Sequence, residues 1–152
     1  MTVYLPDLHD DVVVLALTCW GEARGGGIPG MQSVANVVMN RVNHPRWWGT
    51  TIRTVCLCTG QFDCWNQNGP NYDKMIHLSL DNQNYLIALG VAYLAKTGVL
   101  PNITMNSDSY YALSMSTPPY WAAPPATHVV DIAGQSFWRT ELLPLPTNDG
   151  EA

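Results

Sequence analysis

The sequence predicts an α+β domain: a mainly helical lobe over about residues 7–98, a small β-hairpin lobe over about 99–143, and a cleft between them. Three observations carry this. Val12 to Thr18 is an unbroken apolar run bounded by acidic residues before it and glycines after it. Helix-type spacing then recurs as far as Gly98. Beyond Val99, Pro118-Pro119 and Pro124-Pro125 break the chain into short extended pieces. Helical segments followed by strands point to segregated lobes rather than alternating βαβ units. At 152 residues the chain suits a single domain, 1–152, with a proper core.

The first helix has Asp7 as its expected N-cap, with Asp10 and Asp11 at the positive end of the helix dipole. Leu8, Val12, Leu15, Cys19 and Glu22 succeed one another at steps of four and three, which places them on one stripe. Gly25-Gly26-Gly27 end the helix. A carboxylate thus stands at the last turn of a core-facing stripe, beside Trp20. Apolar surroundings disfavour ionisation, the condition for a general acid near neutrality. The alternative is a structural Glu22 paired with Arg24 or Arg41. The stripe, the tryptophan and the adjoining glycines favour catalysis.

The second helix runs from about Pro29 to Asn43, with Met31, Val34, Ala35, Val38 and Val42 inward. Gln32, Asn36 and Asn40 form a polar stripe. Gln32 reads as solvated, and Asn36 and Asn40 as solvated or as supports for the loop carrying Glu22. Arg41 reads as a structural salt-bridge partner. His44-Pro45 closes the helix. Trp47 and Trp48 suit either a sugar face or the edge of the core. Thr50 to Cys58 reads as a short helix with Ile52 and Val55 inward, followed by an aromatic loop from Thr59 to Trp65. A short helix over Asp73 to Leu80 and a longer one from Asp81 to Gly98 complete the lobe. Ser109 to Leu113 reads as a strand, and Thr127 to Asp131 with Gln135 to Arg139 as a hairpin joined by Ile132-Ala133-Gly134. Pro144 to Ala152 reads as a loose tail.

Composition narrows the function. Six Trp and seven Tyr against two Phe supply flat apolar bodies with polar tips, suited to sugar rings or wet interfaces. A net charge of −5 with only seven Lys and Arg excludes a nucleic-acid partner. The apolar run is too short to span a bilayer, and Met1 to Asp11 lacks a basic leader. The expectation is a monomer made in the cytoplasm without a signal peptide, inserting into no membrane. It would reach a target outside only after release by another agent.

The cysteines are Cys19, Cys56, Cys58 and Cys64. Cys56 and Cys64 bracket a loop that a disulfide would close in an oxidising compartment, while the cytosol would leave free thiols. Zinc held by Cys56, Cys58 and Cys64 lacks a Cys-x-x-Cys pair and needs a fourth ligand. His9, His44, His77 and His128 have no paired metal spacing. No metal and no other cofactor is expected.

Three motif blocks carry a resemblance. The first is Trp20-Gly21-Glu22-Ala23-Arg24-Gly25 followed by Gly30-Met31-Gln32-Ser33-Val34-Ala35-Asn36-Val37-Val38-Met39-Asn40-Arg41-Val42. The second is Gly60-Gln61-Phe62-Asp63-Cys64-Trp65, and the third combines Tyr110-Tyr111-Ala112, Trp121 and Ile132-Ala133-Gly134-Gln135-Ser136-Phe137. From about Asp11 to Arg139 the chain resembles the SleB-like cell wall hydrolases, known from spore-cortex-lytic enzymes and bacteriophage lysis proteins. The resemblance implies a lytic-transglycosylase-like fold. It also implies cleavage of the β-1,4 bond between N-acetylmuramic acid and N-acetylglucosamine in the glycan strands of peptidoglycan, without a cofactor.

Glu22 matches the family's catalytic acid. Gln61, Phe62, Trp65, Tyr110, Tyr111 and Trp121 are the substrate-binding candidates. The chain departs from the family pattern at Asp63 (commonly Ser), Tyr111 (commonly His) and Gln135 (commonly His). Asp63 reads as a turn residue or as a second carboxylate, and the second role would make a hydrolysing muramidase or glucosaminidase. A zinc amidase and a non-catalytic glycan-binding module are the alternatives from other classes. The setting expected is phage lysis, with release by a holin.

Overall fold

The computed structural model describes residues 4–140. The tail expected at Pro144 to Ala152 lies outside them.

Helix α1 (Asp11–Ala23) is the axis of the helical lobe. Val14, Leu15, Ala16, Leu17, Thr18 and Cys19 are fully buried, which means that α1 is covered on every side and not along one stripe alone. α2 (Gly27–Asn43), α3 (Ile52–Cys56) and α5 (Gln83–Lys96) pack around it, with the short α4 (Tyr72–Ile76) at its C-terminal end. A helix apolar all round finds its stability in such a central position.

The N-cap of α1 is Asp10, not Asp7. Asp10 takes extended angles and its carboxylate accepts from the Val12 and Val13 amides, whereas the Asp7 carboxylate accepts from His9 N–H just outside the helix. The glycines do not simply terminate α1. A single 3₁₀ turn, Arg24–Gly26, leads straight into α2 at Gly27, earlier than Pro29. Ile52 and Val55 face inward as expected. α5 starts behind the Asn82 cap and stops before Gly98, whose φ of 81° suits a residue without Cβ.

The small lobe is a three-stranded antiparallel sheet in the order β1-β3-β2, with β1 Ser109–Ala112, β2 Thr127–Ile132 and β3 Gln135–Arg139. The expected hairpin is present. Ala133 and Gly134 make its turn, both with positive φ, as a two-residue connection matched to strand twist requires. β1 joins the far edge of β3 with Tyr110 opposite Phe137.

Two buried asparagines on α2 tie the lobes together. Asn36 donates to the Pro101 carbonyl (3.0 Å) and accepts from the Ile103 amide (2.8 Å). Asn40 donates to the Ser107 carbonyl (2.8 Å) and accepts from Asn102 (2.8 Å). They support the loop that delivers β1, not the loop carrying Glu22, and they are not solvated. The hairpin turn closes the other side, since the Ala133 methyl sits where a Cβ on Gly26 would be only 3.0 Å away. Among the described residues no helix is long and apolar enough to cross a membrane.

Candidate active site

Glu22 occupies the last turn of α1 and lines a cleft of about 640 Å³ between the helical lobe and the sheet. That volume is in the ordinary range for small-ligand sites, roughly 300–1,000 Å³. The carboxyl is held from both ends. Tyr110 O–H donates to Oε1 at 2.6 Å, and the Cys64 backbone N–H donates to Oε2 at 3.0 Å. Arg24 is spent on the Trp20 carbonyl and on Asn71 Oδ1, and lies 3.9 Å over the Trp20 ring. Arg41 donates to the Asp108 carbonyl (2.7 Å) and to Gln61 Oε1 (3.1 Å). Neither arginine pairs with Glu22; burial lowers the Arg41 guanidinium from its ordinary value, and the nearby Asp108 charge opposes that.

Each donor is placed by its own surroundings. Tyr110 stands on β1 between two rings, stacked on Phe137 at 5.3 Å and tilted against Phe62 at 6.5 Å. Burial, reinforced by the Glu22 charge, pushes its phenol well above the ordinary value. It is therefore a fixed donor, not a base. The Cys64 amide reaches Glu22 because Gly21 lets the 3₁₀ turn Asp63–Trp65 approach α1. A Cβ on Gly21 would lie 2.6 Å from Cys64 Cβ and 2.7 Å from Met75 Sδ. Each carboxyl oxygen keeps a second lone pair for a proton or a substrate atom.

Gln61, Phe62, Asp63, Tyr110, Tyr111 and Trp121 line the same cleft as Glu22. Trp65 does not. Its indole N–H donates to Thr18 Oγ1 at 2.9 Å and its ring meets Tyr72 edge-on, so it fastens the 3₁₀ turn to α1. Asp63 is exposed at the cleft, and its carbonyl accepts from the Asn66 amide to close the turn. Its carboxylate accepts no hydrogen bond among the described residues, so it caps nothing through its side chain. Trp47 and Trp48 divide the two roles that sequence left open. Trp48 is buried and donates to the Arg41 carbonyl, while Trp47 is 64% exposed and lines the cleft.

Sequence reasoning missed Tyr120 and the Cys64 amide. Tyr120 is 95% exposed at the cleft beside Trp121, and its signal was an aromatic pair directly after Pro118-Pro119. The Cys64 amide had no signal, because a backbone donor carries no residue signature.

The four cysteines are free thiols, so no bridge joins Cys56 to Cys64. Burial pushes Cys56 up to about 12, and burial with the nearby Glu22 charge raises Cys64. Among the described residues no group of three or more His, Cys, Asp or Glu is arranged to hold a metal ion. His77 and His128 instead approach Asp73 and Asp131 in local contacts.

Comparison with known proteins adds the family. A model described as Cell Wall Hydrolase matches residues 25–138, most of the chain. The chain belongs to the cell wall hydrolase family. The matched stretch begins just past Glu22, so the place of Glu22 in this cell wall hydrolase rests on the geometry above. Two solved structures share its fold. One is the catalytic domain of the germination-specific lytic transglycosylase SleB from Bacillus anthracis, at 23% identity and a TM-score of 0.61, covering 84% of this chain and 92% of that one. The other is the catalytic domain of the Bacillus cereus SleB protein, at 24% identity and 0.61, covering 84% and 88%. Identities this low speak for the fold alone. No curated protein sequence matches the cell wall hydrolase.

Proposed function

We propose that this cell wall hydrolase cleaves the β-1,4 bond between N-acetylmuramic acid and N-acetylglucosamine in peptidoglycan as a lytic transglycosylase, with Glu22 as both acid and base. One observation carries the reading: Glu22 is the cleft carboxyl gripped by two directed donors, Tyr110 O–H at 2.6 Å and Cys64 N–H at 3.0 Å. The other cleft carboxylate, Asp63, is exposed and accepts no hydrogen bond among the described residues. Hydrolysis by paired carboxylates needs both members positioned to well under an ångström. A transglycosylase needs one.

In the first step the protonated Glu22 gives its proton to the glycosidic oxygen as the bond to the muramyl anomeric carbon breaks. The substrate's acetamido group stabilises the cationic centre. In the second step the Glu22 carboxylate takes the proton of the muramyl C6 hydroxyl, whose oxygen closes on the anomeric carbon. The product is a 1,6-anhydro sugar, Glu22 regains its proton, and no water is consumed. Tyr110 and the Cys64 amide hold the carboxyl through both steps. Trp47, Tyr120 and Trp121 all line the cleft and offer faces for sugar rings.

The setting proposed is lysis of a bacterial wall during phage release, supported by the resemblance of the motif blocks to bacteriophage lysis proteins. Co-expression with a holin would cause lysis, and expression alone would not.

Glu22→Gln tests the catalytic assignment, since it keeps shape and removes the transferable proton. Turbidity of a peptidoglycan suspension should stay constant with this variant while sedimentation still shows binding. Clearance at the unsubstituted protein's rate would remove Glu22 from the mechanism.

A further inference from the structure

The strand that carries Tyr110 is an edge. Among the described residues β1 pairs with β3 alone, and no strand adjoins its other side. In an antiparallel pair the backbone groups of successive residues point alternately toward the partner and away from it. Leu113 N–H donates to the Gly134 carbonyl at 2.9 Å, which fixes the phase. Ser109 and Tyr111 therefore turn their N–H and C=O toward Trp138 and Ser136 on β3, while Tyr110 and Ala112 turn theirs to the open side. The outward row can be followed from end to end. It begins at the Asp108 carbonyl, which accepts from Arg41 Nε at 2.7 Å, and Arg41 lines the cleft as Ser109–Ala112 do. It ends at the Ala112 carbonyl, which accepts from the Met115 N–H at 3.0 Å. Between these ends stand Tyr110 N–H, Tyr110 C=O and Ala112 N–H, to which no protein group among the described residues bonds. Backbone groups of a folded chain find partners in protein, water or ligand, and both flanks of this row have theirs in the protein.

We propose that this gap in the β1 edge takes an extended peptide by strand addition, and that the peptide is the stem carried by a muramyl residue of the glycan strand. The inference rests on the glycan-cleaving reading above and adds a recognition element that is not a sugar contact. The pattern chooses the occupant. Donor, acceptor and donor follow one another over about 7 Å of strand. Consecutive amides repeat a C=O and an N–H at the same interval, which is how a peptide adds to a sheet edge. Sugar hydroxyls crowd round a ring and have no such repeat. The position gives the contact a purpose. Tyr110 O–H holds Glu22 Oε1 at 2.6 Å, so one residue grips the carboxyl with its side chain and the stem with its backbone. A stem seated there sets the muramyl residue that bears it beside the proton donor. Because the contact is made by main chain, it reads the presence of a peptide and not its sequence.

The test compares glycan strands that keep their stems with the same strands stripped by an amidase. The unsubstituted protein should prefer the peptide-bearing strands by roughly tenfold or more in kcat/KM, the worth of two or three neutral hydrogen bonds. Ala112→Pro removes the outward N–H and no ladder bond, a place where an edge strand accepts proline. A melting curve checks that the sheet survives. The preference should then fall roughly 3- to 10-fold, the loss of about one neutral hydrogen bond. Equal cleavage of both strands by the unsubstituted protein, or an unchanged preference in a folded Ala112→Pro protein, would overturn the proposal while leaving the glycan-cleaving reading intact. A second measurement needs no variant. N-acetyl-alanyl-alanine amide should inhibit cleavage of the peptide-bearing strands, and its counterpart with an ester in place of the central amide should inhibit roughly 3- to 10-fold less. Equal inhibition by the two, or none by either, would overturn the proposal alone. Failure of the unsubstituted protein to cleave either kind of strand would overturn both readings.

Discussion

Gly21→Ala isolates the Glu22 grip from the rest of the fold. The new methyl would lie 2.6 Å from Cys64 Cβ, 2.7 Å from Met75 Sδ and 3.0 Å from Cys64 Sγ. Carbon atoms rest about 3.5–4.0 Å apart, so α1 and the 3₁₀ turn Asp63–Trp65 must separate by about 1 Å. Met75 is fully buried and has little room to yield. Two stability effects oppose each other. Alanine inside a helix gains about 1 kcal/mol over glycine, and overpacking a tight core costs about 1–3 kcal/mol. The net loss is about 0–2 kcal/mol, a fall in Tm of roughly 0–8 °C for a chain of this length. The site suffers far more. An added ångström takes the Cys64 amide from 3.0 Å to well outside hydrogen-bond range of Glu22 Oε2. Misplacement of that size costs on the order of 100-fold in rate. The assay pairs a melting curve with the initial rate of release of soluble muropeptides. Adding Met75→Ala should recover neither stability nor rate, since Cys64 still blocks the methyl and emptying the buried Met75 site costs about 2–5 kcal/mol of its own. A folded Gly21→Ala protein with a rate within about threefold of the original would refute the reasoning. Recovery of rate by Met75→Ala would show that the obstruction runs through Met75 and not through the turn.

Tyr110→Phe keeps the stack on Phe137 and deletes the 2.6 Å donor to Glu22. A bond to a charged group is worth about 1.5–3 kcal/mol, so kcat should fall roughly 10- to 100-fold with Tm little changed. Undiminished kcat would contradict the grip on Glu22. The thiols predict the response to alkali. Burial raises Cys56 from 9.0 to about 12 and raises Cys19 and Cys64 as well. The folded state then binds more protons than the unfolded one above about pH 9, so their contribution is full below that pH and is lost as pH rises through the folded values. Unfolding free energies from urea titrations should fall by up to about 1.4 kcal/mol per pH unit for each such thiol. A flat stability profile between pH 9 and 11 would contradict the burial. In the native protein an aromatic disulfide reagent at pH 8 should titrate Cys58, the partly exposed thiol, ahead of the other three.

Local signals made much of the fold legible. The apolar run of α1, the stop at Gly98 and the hairpin through Ala133-Gly134 each announce themselves within a few residues. What failed depended on choices between chemically equal neighbours or on distant partners. Asp7, Asp10 and Asp11 are all competent caps, and only backbone angles select Asp10. Asn36 and Asn40 look like a solvated stripe until the loop over Pro101 to Ser107 folds onto them. Trp65 sits in a motif with cleft residues on both sides of its turn, yet Thr18 draws its indole N–H away. Glu22 was legible because a carboxyl on an apolar stripe is out of place. Its two donors were half legible: Tyr110 through its motif, the Cys64 amide not at all.

The central question is whether one carboxyl completes the reaction without water. Digestion of purified peptidoglycan in water enriched in oxygen-18, followed by mass spectrometry of the muropeptides, reads this directly. The expected result is 1,6-anhydromuramyl ends carrying no oxygen-18. Reducing ends that carry the label would mean that water attacks, and would contradict the single-carboxyl mechanism in favour of a hydrolase that uses Asp63.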